Sequence, residues 1–366
     1  MRIAYLGQMA DLSHENGIAK KIRAQILHWQ ALGHTVRYFA LAPTTTLWPG
    51  FAPAEAELLA RGNLLQRASR SRALTARVRA WRPEAIYFRY AYHSAGYPEL
   101  FHAIPTVAEL NSDDLREYPL TLSRAKVFYH RLTRARVLSA CKGFVPVTHE
   151  IGARFAEFAK PARVIGNGIA LDDFPAALAP AAGEPTRLVF VGTAGAPWHG
   201  LERIAELARL FPEIAIDVIG YTAADWARVA PGAGAPPPSL EFHGPLGRAQ
   251  YAELLSRATA AIGSLALYKN GMDEACPLKV REYLACGLPV LAAYRDTDIP
   301  EGADYFLRLP NDAAPLAPQR GRIASWLTQW HGRRVPRAAV AHLDVIVKEK
   351  ARLDFVARLA HGGSAS

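Results

Sequence analysis

Cysteine is scarce in this chain of 366 residues, which holds Cys141, Cys276 and Cys286 and no others. The number is odd, no pair has metal-ligand spacing, and no disulfide framework is suggested, so a reducing cytoplasm is the simplest setting. Long apolar runs are also missing. None reaches the roughly eighteen residues that span a bilayer. The start Met1-Arg2-Ile3-Ala4-Tyr5-Leu6 has neither the apolar region nor the cleavage site of a secretory leader. A soluble or peripheral protein is expected. No Walker sequence is present, and no Gly-x-Gly-x-x-Gly follows a strand, which disfavours NTPase and dinucleotide-dependent dehydrogenase chemistry. No metal cluster is legible, and no metal or other cofactor is expected.

Acidic residues are sparse in one half only. Residues 1–165 contain 23 Lys and Arg against 12 Asp and Glu, whereas the remainder contains 20 against 21. Arg61–Lys142 alone has 15 basic and 6 acidic side chains. Such a field attracts anionic partners: a phospholipid surface, lipid-linked phosphates or nucleic acid. Arg-rich helices that are simply well solvated give the same count. No nucleic-acid-binding module accompanies the charge, so nucleic acid is not an expected partner.

What the chain does have is an alternation of short apolar runs and amphipathic stretches. Ile3–Gly7, the helical pattern Ala19–Leu32 and the run Val36–Ala40 form a β-loop-α-β unit, which implies parallel strands joined by a right-handed crossover. Further runs follow at 85–88, 106–109 and 143–147, separated by Arg-rich helices that include Ser123–Cys141. An Ala- and Pro-rich stretch, Pro175–Pro185, reads as a surface connection. A second cycle then runs through Leu188–Gly192, Leu201–Leu210, Ile214–Gly220, Leu240–Gly244, Gln250–Arg257, Ala260–Leu265 and Pro289–Ala293. Two successive sets of this kind predict an α/β protein of two doubly wound, Rossmann-like domains facing a central cleft, with ligands at the carboxyl ends of the strands. The expected division is 1–163 and 164–344, with a C-terminal helix within 345–366 packing back on the first domain.

The densest signal is Asp273-Glu274-Ala275-Cys276-Pro277-Leu278-Lys279-Val280-Arg281-Glu282-Tyr283-Leu284-Ala285-Cys286-Gly287-Leu288-Pro289-Val290. Pro277 suits a first helical turn and Gly287 a C-terminal cap, which predicts a helix over Pro277–Cys286 with Glu274 in the loop before it. A nucleotide sugar needs acceptors for its hydroxyls, and N–H groups and cations for its pyrophosphate. A helix N-terminus supplies the N–H groups, Lys279 the charge, and two carboxylates at different depths the acceptors.

The Glu-x7-Glu spacing followed by Tyr-Leu-Ala-Cys-Gly-Leu-Pro-Val resembles the signature of retaining glycosyltransferases of family 4, which have the GT-B fold and generally work without a bound metal. The resemblance implies that Glu274 binds the donor sugar and Glu282 the ribose. Val164-Ile165-Gly166-Asn167-Gly168-Ile169 resembles the turn that opens the family's C-terminal domain, with Gly166 in place of the usual proline. Asn16-Gly17-Ile18-Ala19 resembles its glycine-rich donor-phosphate loop, with Gly17 as the one glycine of the usual two. Phe190–Gly200 lies where the family carries two pyrophosphate cations, but Thr193 and His199 stand in their places beside Gly192. That leaves Lys279 and helix N-termini as phosphate partners, with Pro277 and Leu278 at the helix start and His199 as a further candidate. Gly244 and Tyr221 are expected near the nucleobase. On the acceptor side, Arg89, His93, Asn111 and Asp113 end predicted strands. Glu109 or Asp113 could orient an acceptor hydroxyl, although Asp113 and Asp114 also suit helix N-capping.

The expected activity is transfer of a sugar from a UDP- or GDP-type nucleotide sugar to a hydroxyl with retained configuration, in surface polysaccharide, lipopolysaccharide or glycolipid synthesis. The expected acceptor is a glycan or lipid-linked one, and the expected place is the cytoplasm or the inner face of its membrane. The alternatives are a catalytically weak or dead GT-B sugar-binding protein and a GT-B phosphorylase or epimerase.

Overall fold

The computed structural model describes residues 1–8, 17–43, 54–63, 66–174, 179–181, 183–230 and 234–362. It divides the chain into two compact units, Met1–Gly166 with Val345–Ser366, and Asn167–Asp344. Part of the expected surface connection at 175–185 lies outside the described residues. Among the described residues, no helix is long and apolar enough to cross a membrane.

The first unit is built on β1 (Arg2–Gln8), β2 (Thr35–Ala42), β3 (Ala56–Ala60), β4 (Ala85–Arg89), β5 (Thr106–Leu110) and β6 (Gly143–Pro146). All pairings are parallel, in the order β3-β2-β1-β4-β5-β6. Strands in such sheets are covered on both faces and therefore read as continuous apolar runs, as Ala85-Ile86-Tyr87-Phe88 does. The core stacks aromatic rings: Trp29 meets Tyr87 edge-on at 5.0 Å and Tyr5 at 5.9 Å. Leu353, Phe355 and Val356 of the C-terminal helix Val345–Ala360 belong to the same core. That helix is also held by polar contacts. Trp29 Nε1 donates to Glu349 Oε2 at 2.7 Å, and Arg352 pairs with Glu349.

The second unit contains β7 (Arg187–Val191), β8 (Ala215–Ile219), β9 (Leu240–Gly244), β10 (Ala260–Ile262), β11 (Glu274–Ala275), β12 (Val290–Ala292), β13 (Arg295–Asp296) and β14 (Phe306–Arg308). Its main sheet runs β14-β12-β10-β7-β8-β9 and is again parallel throughout. Counted within each unit, both sheets have the doubly wound order 3-2-1-4-5-6, so strand order reverses between β1 and β4 and between β7 and β10. Ligands of such sheets bind outside the carboxyl ends of the strands at that reversal.

Sequence periodicity does not reveal β3, the short β14, or the two-residue pair β11–β13. One correction follows. Glu274 is not in an irregular loop: it opens β11 and stands in register with Arg295 of β13. The expected helix forms over Leu278–Ala285, with Pro277 as its N-cap and Gly287 at φ +79° just past its end.

Candidate functional site

In the second unit the site assembles at the carboxyl end of β7. Gly192 and Thr193 follow that strand directly. A side chain at Gly192 would lie 2.8 Å from His199, Phe190 and Tyr221 alike, so only glycine fits among them. Gly220, at φ +85°, brings its backbone so close that an added Cβ would meet the Gly192 carbonyl oxygen at 1.9 Å. The loops after β7 and β8 are thus pressed together. Tyr221 joins them: its hydroxyl donates to the Thr193 carbonyl at 2.8 Å and lies 3.0 Å from His199 Nδ1.

Tyr221 is buried, and burial first, with Asp225 and Glu202 adding to it, pushes its phenol up to about 12. Its hydroxyl packs the loop between Thr193 and His199. With its one proton given to Thr193, the phenol oxygen accepts from His199 Nδ1–H, leaving Nε2 as an acceptor in the neutral ring. Burial, with the charge of Lys279 as a lesser cause, pulls the His199 imidazole down to about 2. Burial thus favours the neutral His199 ring in the free protein. Gly244, at φ +64°, ends β9, where its N–H bonds the Tyr221 carbonyl and its carbonyl accepts from Gly220 N–H.

The helix Leu278–Ala285 is anchored against the same strand end, because the Tyr283 hydroxyl accepts a 2.8 Å bond from Val191 N–H. Its first turn carries Lys279. The ammonium is buried, has no hydrogen-bond partner, and stands 4.2 Å from the centre of the Phe190 ring. The ring face offers partial compensation. Burial still pulls its pKa down to about 7. Glu282, one turn further, accepts from the Tyr251 hydroxyl at 2.8 Å. Glu274 is buried and ion-paired with the half-exposed Arg295.

Beneath this loop lies a polar cluster that the sequence motif does not reveal. Arg281 is fully buried and grips Asp296 with two bonds of 2.7 and 2.8 Å, Asp298 at 3.0 Å and the Asn167 carbonyl at 2.9 Å. Cys276 Sγ accepts from Arg281 at 2.7 Å and from Asn167 N–H at 2.9 Å. Burial pushes the Cys276 thiol up to about 12, so it stays protonated. Cys276, Asp296 and Asp298 are close enough to suggest ligation of an ion, but the guanidinium occupies their centre.

In the first unit Arg89 and Asn111, two of the expected acceptor-side residues, meet Glu109 at the carboxyl ends of β4 and β5. Glu109 is fully buried, contacted by Lys21 at 2.9 Å, Arg89 at 3.0 Å and Asn111 at 3.1 Å. Burial pushes this carboxyl up, but Lys21, Arg89 and Arg352 outweigh it and hold the group well below the usual carboxylate range. Glu109 thus anchors Lys21, Arg89 and Asn111 as a carboxylate. Lys21 also donates to Asn111 Oδ1 at 3.0 Å, and burial pulls it down to about 8. Neither Lys21 nor Arg352 carries a motif; only folding brings them in.

Asp113 occupies the N-cap position of the helix Asp114–Thr121 without a side-chain capping bond, and pairs instead with Arg116 and Arg154 at 3.5 Å each. His93 Nδ1 lies 2.7 Å from the Tyr129 hydroxyl, away from the Glu109 group. Gly17 starts the helix Gly17–Ala31, whereas Asn16 and the rest of the proposed phosphate loop lie outside the described residues.

Two parallel six-stranded sheets, each with polar groups at its strand reversal, give this chain the GT-B fold of the solved structures it is similar to. Residues 16–173, less than half of the chain, match the model of Glycosyltransferase Family 4. No curated protein sequence matches the chain. Among solved structures it is similar to the apo form of the lipopolysaccharide outer core galactosyltransferase WaaB (TM-score 0.67, 10% identity, 100% of both chains covered). It is also similar to HepE of Anabaena, solved with UDP and glucose (0.62, 16%, 98% of this chain and 99% of that one). WaaG, a glycosyltransferase involved in lipopolysaccharide biosynthesis, matches at 0.62 and 14% identity over 97% and 99% of the two chains.

Proposed function

We propose that the chain transfers a sugar, with retained configuration, from a UDP- or GDP-linked donor to a hydroxyl of a glycan or lipid-linked acceptor. The reading places this reaction in bacterial surface polysaccharide, lipopolysaccharide or glycolipid synthesis at the inner face of the cytoplasmic membrane. The observation that carries it is Lys279: a buried ammonium without a hydrogen-bond partner, in the first turn of a helix at the carboxyl end of β7. An unpaired buried cation is costly unless an anion completes it. A donor diphosphate supplies that anion and also meets the helix N–H groups. The family match and the UDP complex of HepE support the same donor class.

In this reading Glu274 and Glu282 hold the sugar and ribose hydroxyls. Charge develops on the departing diphosphate, so Lys279 and the backbone dipoles do most of the catalytic work. The acceptor proton passes to the donor phosphate on the same face, without a covalent intermediate on the protein. The neutrality of His199 favours one competing reading, a sugar-binding protein with little turnover. Thermal-shift titrations with UDP-, GDP- and ADP-sugars, followed by transfer assays, decide between them. Stabilisation by one nucleotide class and abolished transfer in Glu274→Ala are expected. No stabilisation by any nucleotide ends the donor assignment, and stabilisation without transfer to any acceptor favours the binding protein.

A further inference from the structure

At the carboxyl ends of β1 and β4, where strand order in the first sheet reverses, the charges do not balance. Lys21, in the helix Gly17–Ala31 that follows β1, and Arg89, the last residue of β4, share the single carboxylate of Glu109. The neighbouring Arg352 is matched by Glu349 and also donates to the carbonyls of Ile165 and Gly166. Three cations therefore stand against two carboxylates in a largely buried place. Asp113 does not offset the excess, because it already faces Arg116 and Arg154. Lys21 responds to the imbalance: burial lowers its pKa, and against the pull of Glu109 the charges of Arg89 and Arg352 lower it further. Asn111 is committed on both sides, accepting from Lys21 and donating to Glu109. Arg89 gives one N–H to Glu109 and makes no other hydrogen bond among the described residues, and its side chain is 16% exposed. A buried excess charge is costly until an anion joins it, and the remaining guanidinium N–H groups form a fork that suits a carboxylate or a phosphate.

We propose that the acceptor sugar carries an anionic group, a carboxylate or a phosphate, and that Arg89 and Lys21 receive it at the reversal of the first sheet. The inference rests on the transfer reading above, which assigns the donor diphosphate to Lys279 in the second unit. Ligands of doubly wound sheets bind at the reversal, so the excess charge lies where a substrate arrives. A neutral hexose would leave it unanswered. A uronic acid or a sugar phosphate completes it, with Arg89 making the discriminating contact and Glu109 fixing the direction of its fork.

The test is isothermal titration of the full chain with gluco-, galacto- and manno-configured hexuronates and hexose 6-phosphates, each against its neutral parent hexose at matched ionic strength. UDP and inorganic phosphate are titrated alongside. At least one anionic sugar should bind about tenfold or more tightly than its parent, the scale of one charge-assisted hydrogen bond. Whether uronates or phosphates gain most identifies the group. Arg89→Gln should remove the preference and Arg89→Lys should keep part of it, with the UDP affinity unchanged in both. Glu109 keeps Lys21 and Arg352, so both variants should stay folded, which the ligand-free Tm reports. The proposal is overturned if no anionic sugar outbinds its parent, or if folded Arg89→Gln keeps the preference. It is also overturned if inorganic phosphate binds as tightly as the sugars, which makes the place a bare anion site, or if Arg89→Gln weakens UDP, which gives the cations to the donor. A UDP response without any sugar preference fails this inference alone. A sugar preference without any nucleotide response fails the transfer reading and leaves the anion-binding role of Arg89 and Lys21 standing.

Discussion

Lys279 can lose its proton near neutrality, which gives donor binding a pH dependence of definite sign. Burial lowers its pKa to about 7 in the free protein, and an adjacent diphosphate must raise it again. Binding above pH 7 therefore takes up a proton, and UDP affinity should fall as the pH rises past that value. Calorimetry in two buffers of different ionisation heat measures the uptake; a pH-independent affinity with no uptake removes Lys279 from the diphosphate. Lys279→Met should abolish the dependence and lower kcat/KM by about a hundredfold, the scale of removing one charge-stabilising group. At this scale the sequence was informative where the chemistry is contiguous. Glu274, Lys279 and Glu282 lie within nine residues and could be read from the chain itself. Lys21, Arg89, Glu109 and Arg352 meet across more than three hundred residues, so the role of Glu109 as a buried anchor was not legible. Nor was the neutrality of His199, which depends on burial and on Tyr221.

The helix Leu278–Ala285 is positioned from below as much as by its own caps. Arg281 connects it to Asp296 and Asp298, to the Asn167 carbonyl and to Cys276, two residues past Glu274. Arg281→Met keeps the bulk but strands Asp296 without its cation. Breaking a buried pair from one side costs about 3–5 kcal/mol, far more than replacing both partners. A fall in stability of that size is expected in denaturant unfolding of the second unit. A much smaller loss that returns with Asp296→Asn added would show that water reaches the carboxylate instead. The elements themselves were largely legible, because parallel strands buried on both faces appear as unbroken apolar runs between amphipathic stretches. The exceptions have two causes. β11 and β13 have two residues each and β14 three, too few for any periodicity, and β3 mixes Glu57 into an edge position.

The two units are not successive along the chain, since Val345–Ala360 returns to the core begun by β1. A chain ending at Asp344 keeps the whole second unit but leaves Trp29 without Glu349 and the first core without Leu353, Phe355 and Val356. Removing three such buried side chains costs several times about 2 kcal/mol, enough to unfold a domain of ordinary stability. Calorimetry of the truncated chain should show one transition where the full chain shows two, with UDP shifting the survivor. Retention of both transitions would refute the structural role assigned to the tail.

That return also orders events during synthesis. The second unit has all its residues once Asp344 has emerged, whereas the first must wait for Val345–Ala360. A stalled ribosome or a premature stop therefore leaves the opening sheet with an uncovered aromatic floor, the kind of surface that chaperones and proteases engage.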